Sequence, residues 1–382
     1  MKCTLLALAC AGMPLVATAA GPPVSLAPGA EPVASNRLAS GSLAEAQRVL
    51  DAAAKPAAAW NGPRTGPPAQ PGKHIAVVGE DLRNGGILGV AQGVREAAKV
   101  IGWNVSVFDC GGTVSGRRKA LADALAKSPD GLLLIGPDAR AIRAGLLPYE
   151  GRGVPIVGWH VAPTAGPVAG TPVAMNVSTD PLEVARVTAL AAIVQSKGRA
   201  GVVVFTDTSL ELPKTKANAM ADVVRACPGC TLLEIVDVPI SKNPEMMPRT
   251  TRDLLARHGT RWTHALAIND IYFDYAAPVL TQAGLANDAI SMLSAGDGSA
   301  AAFLRIKAGT FQSATVAEPL NLHGWQLVDE MNRLLARQPV TGFVFPVHLV
   351  TPANIDTDGG DRLMYDPANG YRDIYKRIWQ RG

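Results

Sequence analysis

From residue 73 to residue 350, short apolar runs alternate with amphipathic helical patterns, and this rhythm restricts the fold more than any other feature. An apolar run such as His74–Gly79 is typical of a strand buried on both faces, and the pattern from Ile87 to Ile101 is typical of a covering helix. Alternation of this kind predicts parallel sheets with right-handed helical crossovers. The predicted strands cover 74–79, 105–108, 132–135, 154–159, 173–177, 201–205, 232–238, 264–268, 291–294, 312–316 and 344–350.

The rhythm restarts at Gly201, and 382 residues are enough for two domains. We therefore predict two doubly wound α/β lobes. Ligands of such sheets bind beyond the carboxyl ends of the strands, so two facing lobes predict a cleft between those ends.

Residues 1–20 have the layout of a cleavable signal peptide, with Lys2, a short apolar stretch and small residues such as Ala17 and Ala19. The mature protein is therefore expected to be exported. An alternative makes Cys10 a lipidated first residue. Residues 21–72 are rich in Pro, Gly and Ala, and we interpret them as an extension that lies on the surface or acts as a spacer. Within them, Ser42–Glu45 is a capping-box pattern that predicts a short helix.

Three cysteines follow the signal segment. Cys227 and Cys230 lie in a turn between a predicted helix and a strand, where a disulfide would stabilise the turn in an oxidising compartment. A redox pair is the alternative, although such a pair normally opens a helix and this one closes a helix. Cys110 is predicted to be a free, buried thiol.

Several classes of function find no support in the sequence. The 36 Lys+Arg and 32 Asp+Glu residues give a net charge of only +4 without a basic block, so no nucleic-acid partner is expected. The glycines between Gly79 and Gly89 lack dinucleotide-binding spacing, and the acidic loop at 356–361 lacks a full calcium-binding pattern. Because no nucleophile–base motif is found either, we expect no enzyme, no cofactor and no metal.

Six short motifs stand in order along the chain: Asn84–Ile87, Gly93 with Ala97, Gly153–Val157, Asn269–Asp270, Ala295–Gly298 and Ala314–Glu318. In this order they resemble motifs of the type 1 periplasmic binding proteins of the ribose-binding kind, and the resemblance covers residues 73–355. Asn84–Ile87 stands where that family has Asn-Pro-Phe-Phe, and Gly93 and Ala97 fit the helix that follows. The resemblance implies that a hinge of three crossovers joins the two lobes. It assigns residues 73–179 plus 319–350 to the first lobe and 180–318 plus 351–382 to the second.

The resemblance implies a small ligand held between the lobes. Asn84, Asn269 and Asp297 keep the family's residue types, which suit the hydroxyls of a sugar or polyol. Other positions differ from the family: His160 replaces an Asp, Lys214 replaces an Arg, and Glu318 replaces a Gln. Gly86 and Ile87 replace the stacking aromatics, for which Trp159, Tyr272 or Phe273 would substitute. The predicted ligand-binding residues are Asn84, Trp159, His160, Lys214, Asn269, Asp297 and Glu318.

The family also implies partners. We predict a monomeric solute-binding component of an ABC importer, which closes around a sugar-like or polyol solute and presents the closed form to an inner-membrane permease. An alternative is a periplasmic sensor that presents the same closed form to a sensor kinase or chemoreceptor.

Overall fold

The computed structural model describes residues 43–380. The predicted signal peptide, together with Cys10, lies outside that range. Within the described range, every helix is too short or too polar to cross a bilayer.

Eleven strands lie in two sheets, close to the predicted positions. The strands are β1 (His74–Gly79), β2 (Asn104–Asp109), β3 (Gly131–Ile135), β4 (Ile156–Trp159), β5 (Val173–Val177), β6 (Gly201–Thr206), β7 (Thr231–Asp237), β8 (His264–Ala267), β9 (Ser291–Ser294), β10 (Gln312–Ala317) and β11 (His348–Val350). The first sheet is wholly parallel, in the order β2-β1-β3-β4-β5. The second has the order β11-β10-β9-β8-β6-β7, with β11 antiparallel to β10. The prediction of two doubly wound parallel-sheet lobes is confirmed.

Helices cover both faces of each sheet. They are α1 (Leu43–Ala53), α2 (Gly85–Ile101), α3 (Val114–Ala126), α4 (Arg143–Glu150), α5 (Pro181–Gln195), α6 (Glu211–Arg225), α7 (Asn243–His258), α8 (Ile271–Gln282), α9 (Ala300–Ala308), α10 (Leu320–Leu335), α11 (Ile355–Asp358) and α12 (Tyr371–Gln380). Successive side chains of a strand point to opposite faces of the sheet, so one strand contributes to the apolar layers on both faces. Ile75 and Val77 pack in one apolar cluster with α2 and α10, whereas Ala76 and Val78 pack in another with α3 and α4.

The end of the chain is arranged differently from the predicted division. We assigned residues 319–350 to the first lobe and 351–382 to the second. Strand β11 instead joins the sheet of the second lobe, while α12 packs against α10 and α2 of the first lobe. Tyr371, Tyr375 and Trp379 recur every four residues on α12, so one helix face buries three aromatic side chains against the first lobe.

The described part of the N-terminal extension packs on both lobes. Ala46, Leu50 and Ala53 of α1 belong to the apolar core of the second lobe, where α1 lies against α5. Trp60 is only 3% exposed and packs with Phe343 and aromatic residues of α12 in the first lobe. Residues 43–72 therefore connect the two lobes outside the hinge.

The cysteines are arranged as the turn pattern predicts. Cys227 and Cys230 form a disulfide with a Cα–Cα distance of 5.3 Å, directly after α6. Cys110 is free and buried. Burial raises the pKa of the Cys110 thiol to about 12, so this thiol stays protonated and unreactive at neutral pH.

Candidate functional site

A cavity of about 220 Å³ opens between the carboxyl ends of the two sheets. Asn84 follows β1 and His160 follows β4 in the first lobe, while Asn269 and Asp297 follow β8 and β9 in the second. All four side chains line the cavity, together with Trp159. Five of the seven predicted ligand-binding residues therefore converge on one space.

Asn84 lies at the floor of the cavity as the N-cap of α2. Its side-chain oxygen accepts the backbone N–H of Gly86 at 2.9 Å, which satisfies one of the free donors of the first helical turn. The amide nitrogen remains available as a donor to a ligand. The Asn84 side chain can thus cap α2 through its oxygen and donate to a ligand through its nitrogen.

Asn269 and Asp297 form a pair on the opposite lobe. The Asn269 amide donates to Asp297, and its oxygen accepts the N–H of Ile271 at 2.9 Å. Asp297 is only 4% exposed. Burial raises the pKa of its carboxyl to about 6, although the charges of His160 and Lys216 act in the opposite direction.

His160 occupies a constrained position at the end of β4. Its backbone has a φ of 55°, in the left-handed region that histidine rarely adopts. Its ring stacks on Trp159 with a centroid distance of 3.7 Å, and its Nε2 lies 2.9 Å from Oε1 of Glu318. The stacked indole and the backbone conformation together hold the imidazole between the cavity and the hinge.

Glu318 lies behind the cavity rather than on its surface. It follows β10 at the crossover to the first lobe and is only 1% exposed. Burial alone would raise the pKa of Glu318, but the neighbouring charges of His160 and Lys216 lower it to about 2. Glu318 is therefore a buried anion that supports the residues lining the cavity.

Lys214, one of the predicted ligand-binding residues, does not line the cavity. The Lys214 side chain is 51% exposed on α6 and faces Glu211 at 3.8 Å. Lys216, two residues later, is only 2% exposed and lines the cavity. Its Nζ donates to the carbonyl oxygen of Ala295 at 2.8 Å, which leaves further N–H donors of the ammonium for a ligand.

Two of the proposed substitute aromatics also lie elsewhere. Tyr272 and Phe273 are fully buried in the core of the second lobe, where the Tyr272 hydroxyl donates to the carbonyl of Val238 at 2.8 Å. Trp159 does line the cavity, but His160 covers one face of its indole ring.

Several polar residues of the cavity wall were not among the predicted ligand-binding residues. Glu80 follows β1 and receives two N–H bonds from Arg117 of α3, including one of 2.8 Å from Nε. Asp207 follows β6 and accepts the N–H groups of Ser209 and Ile240 at 3.0 and 2.9 Å. Both could have been predicted from the sequence, because each is a carboxylate directly after a buried parallel strand. Such residues lie at the edge of the sheet where the cavity forms.

The lobes touch on two sides of the cavity. A side chain at Gly86 of the first lobe would overlap the Asp297 carboxylate of the second, and one at Gly112 would overlap the side chain of Ser241. The structure thus represents a closed arrangement, in which both lobes contribute walls to one enclosed space. The fold and this space define a two-lobed binding protein.

The sequence matches the model of the periplasmic binding protein domain over residues 75–339, more than two-thirds of the chain. The chain belongs to this family, and the resemblance inferred from the six motifs is confirmed. No protein of curated function matches the sequence.

Solved structures of ABC transporter solute-binding proteins share the fold. One from Agrobacterium vitis with bound α-D-tagatopyranose is 15% identical, with a TM-score of 0.68 over 77% of this chain and 99% of that chain. A second from the same organism, with bound allitol, is 17% identical, with a TM-score of 0.64 over 75% and 97%. The Caulobacter myo-inositol binding protein with myo-inositol is 19% identical, with a TM-score of 0.66 over 78% and 98%. At these identities the likeness establishes the fold alone.

Proposed function

We propose that this protein is the solute-binding component of an ABC importer, and that it binds a small sugar-like or polyol solute between its lobes for delivery to a permease. One observation carries the proposal. Polar side chains from both lobes meet at one cavity: Asn84 and His160 lie on one side, and Asn269, Asp297 and Lys216 of α6 lie on the other.

The chemistry of these side chains suits a polyol. A hydroxyl group both donates and accepts, so it can donate to the Asp297 carboxylate and accept from the Lys216 ammonium. Ile87, Trp159 and Leu212 supply apolar wall for the C–H faces of the solute. The sugars and polyols bound in the structures from Agrobacterium and Caulobacter support this class of ligand.

The closed arrangement explains how binding would be communicated. A solute that contacts both lobes favours closure, and a permease that recognises only closed lobes then selects the loaded protein. The family consists of binding proteins of the periplasm, and we propose that residues 1–20 direct secretion to that compartment. We further propose that the protein acts as a monomer and without catalysis.

Thermal unfolding with a panel of solutes tests the proposal. Allitol, tagatose and myo-inositol are added to metal-free protein, with an amino-acid panel as the comparison. A solute present at about 100 times its Kd stabilises the folded state by about 2.7 kcal/mol, so a true ligand raises the Tm clearly.

The matched variants are Asp297→Ala, in the cavity, and Asp288→Ala, at an exposed position of the same lobe. We expect the ligand-induced rise in Tm to disappear in the first variant and to persist in the second. A panel in which no sugar or polyol raises the Tm of the unmodified protein would refute this class of ligand.

A further inference from the structure

Three potential metal-binding side chains lie close together at the wall of the cavity. His160 comes from the first lobe, Asp297 from the second lobe, and Glu318 from the crossover between them. One donor atom from each residue lies within 4.8 Å of the other two. An imidazole with two carboxylates is a donor set that divalent transition metals bind readily.

Among the described residues, the Glu318 carboxylate lacks hydrogen-bond donors, although charged side chains lie near it. Within residues 43–380, neither of its carboxylate oxygens has a hydrogen-bond donor, although the side chain is only 1% exposed. His323 approaches Oε2 with its Nδ1 at 3.5 Å, but that nitrogen already accepts the indole N–H of Trp159 at 3.0 Å. Because the Nδ1 of His323 acts as an acceptor, it cannot donate to Glu318.

His160 is aimed at the same point. Its Nε2 lies 2.9 Å from Oε1 of Glu318, yet the contact lacks hydrogen-bond geometry, and this buried nitrogen has no other partner in the described part of the chain. Stacking on Trp159 restricts the rotation of the ring. An imidazole nitrogen and a carboxylate oxygen this close together can both bind one divalent transition metal ion.

Lys216 does not complete the cluster. Its Nζ donates to the carbonyl of Ala295 at 2.8 Å and stays 3.9 Å from Oε1 of Glu318, beyond hydrogen-bond distance. Two buried carboxylates, Asp297 and Glu318, therefore lie close together, and the Glu318 oxygens have no hydrogen-bond donor among the described residues. Such unpaired buried oxygens favour a cation at this point.

We propose that His160 Nε2 and one oxygen each from Asp297 and Glu318 bind a divalent first-row transition metal ion, for which Zn²⁺ is the probe. Zinc accepts nitrogen and carboxylate oxygen ligands at about 2.0–2.2 Å and leaves a fourth position for water or a solute where only three protein ligands are present. His160 and Asp297 line the cavity, so that fourth position faces the solute space. Since the ligands come from both lobes and the hinge, the metal would stabilise the closed arrangement.

Isothermal titration of untagged, chelator-stripped protein with Zn²⁺, without any solute, tests this site. We expect one ion per chain, and we expect His160→Gln, Asp297→Asn and Glu318→Gln each to weaken binding about tenfold or more. The control is His258→Gln, because the Nε2 of His258 lies 3.0 Å from Glu234 near the surface of the second lobe, away from the cavity. This control should leave the affinity unchanged.

Absorption spectra with Co²⁺ supply a second readout that reports the coordination itself. The spectrum of bound Co²⁺ should change in folded His160→Gln protein and stay the same in His258→Gln protein. Absence of binding by the unmodified protein would overturn the proposal. Equal affinity in all four variants would also overturn it, since the ion would then occupy an unrelated surface. Neither result would bear on the solute screen, which uses metal-free protein.

Discussion

The Asp297 carboxylate occupies the space in which a side chain at Gly86 would begin. Gly86 lies in the first turn of α2 in the first lobe, and Asp297 lies after β9 in the second. Glycine is thus required here by the close approach of the opposite lobe.

Substitution of Gly86 by alanine should therefore weaken solute binding. In an ordinary helix, Gly→Ala stabilises by about 0.5–1 kcal/mol, so a loss of function cannot arise from helix propensity. We expect a smaller solute-induced rise in Tm, measured by thermal unfolding, because the added methyl group displaces Asp297. Leu88→Ala, at an exposed position of the same helix, is the control and should behave like the unmodified protein. Unchanged solute binding by Gly86→Ala protein would show that the close contact between Gly86 and Asp297 is not needed for solute binding.

The two lysines of α6 should differ sharply in their effects. Lys216→Met leaves Asp297 and Glu318 without their ammonium neighbour, which we expect to lower the free energy of unfolding by about 3 kcal/mol and to reduce solute affinity. Lys214→Met removes only an exposed charge, so its effect should stay within about 0.5 kcal/mol. Urea unfolding and solute titration measure both quantities. Similar results for the two variants would contradict the placement of Lys216 in the cavity.

The contrast between these lysines also shows what the sequence can predict. Strand positions followed from apolar runs. Asn269 and Asp297, which the family resemblance indicated, line the cavity because they follow parallel strands that end at one edge. Lys214 does not line the cavity but Lys216 does, because each helical residue turns about 100°, so a shift of two residues selects the opposite face. The tight spacing of motifs constrains loops well and helix faces poorly.

The chain termini illustrate a second limit. The aromatic stripe of α12 forms its buried face, but periodicity in the sequence does not reveal which lobe covers that face. Here the covering residues include Trp60 of the extension and Trp325 of α10, both distant in sequence. Long-range packing of this kind becomes visible only in the structure.

Trp60 should make the N-terminal extension important for stability. It is buried against Phe343 and Tyr375, so Trp60→Ala should lower the free energy of unfolding by about 3–5 kcal/mol. Denaturant unfolding measures this value. Leu43→Ala, at an exposed position of α1, is the control and should have little effect. A cost below about 1 kcal/mol for Trp60→Ala would mean that the extension is a spacer without a structural role.

Glu330 should make the stability of the first lobe depend on pH. It is fully buried on α10, where Thr341 donates to it, and burial raises the pKa of its carboxyl from 4.5 to about 7. Asp329 raises this pKa further, while Arg333 of the same helix opposes the shift. Because the folded state prefers the protonated form, the stabilisation is fully present below about pH 4.5 and is lost as the pH rises through about 7.

The free energy of unfolding contributed by this group should thus fall by an amount on the order of 3 kcal/mol between pH 4.5 and pH 8. Urea unfolding at a series of pH values measures the change. Glu330→Gln keeps a neutral side chain at every pH and should flatten the profile, whereas Glu150→Gln, at an exposed position of the same lobe, should leave it as it is. If Glu330→Gln retains the full pH dependence, the ionisation responsible belongs to another group.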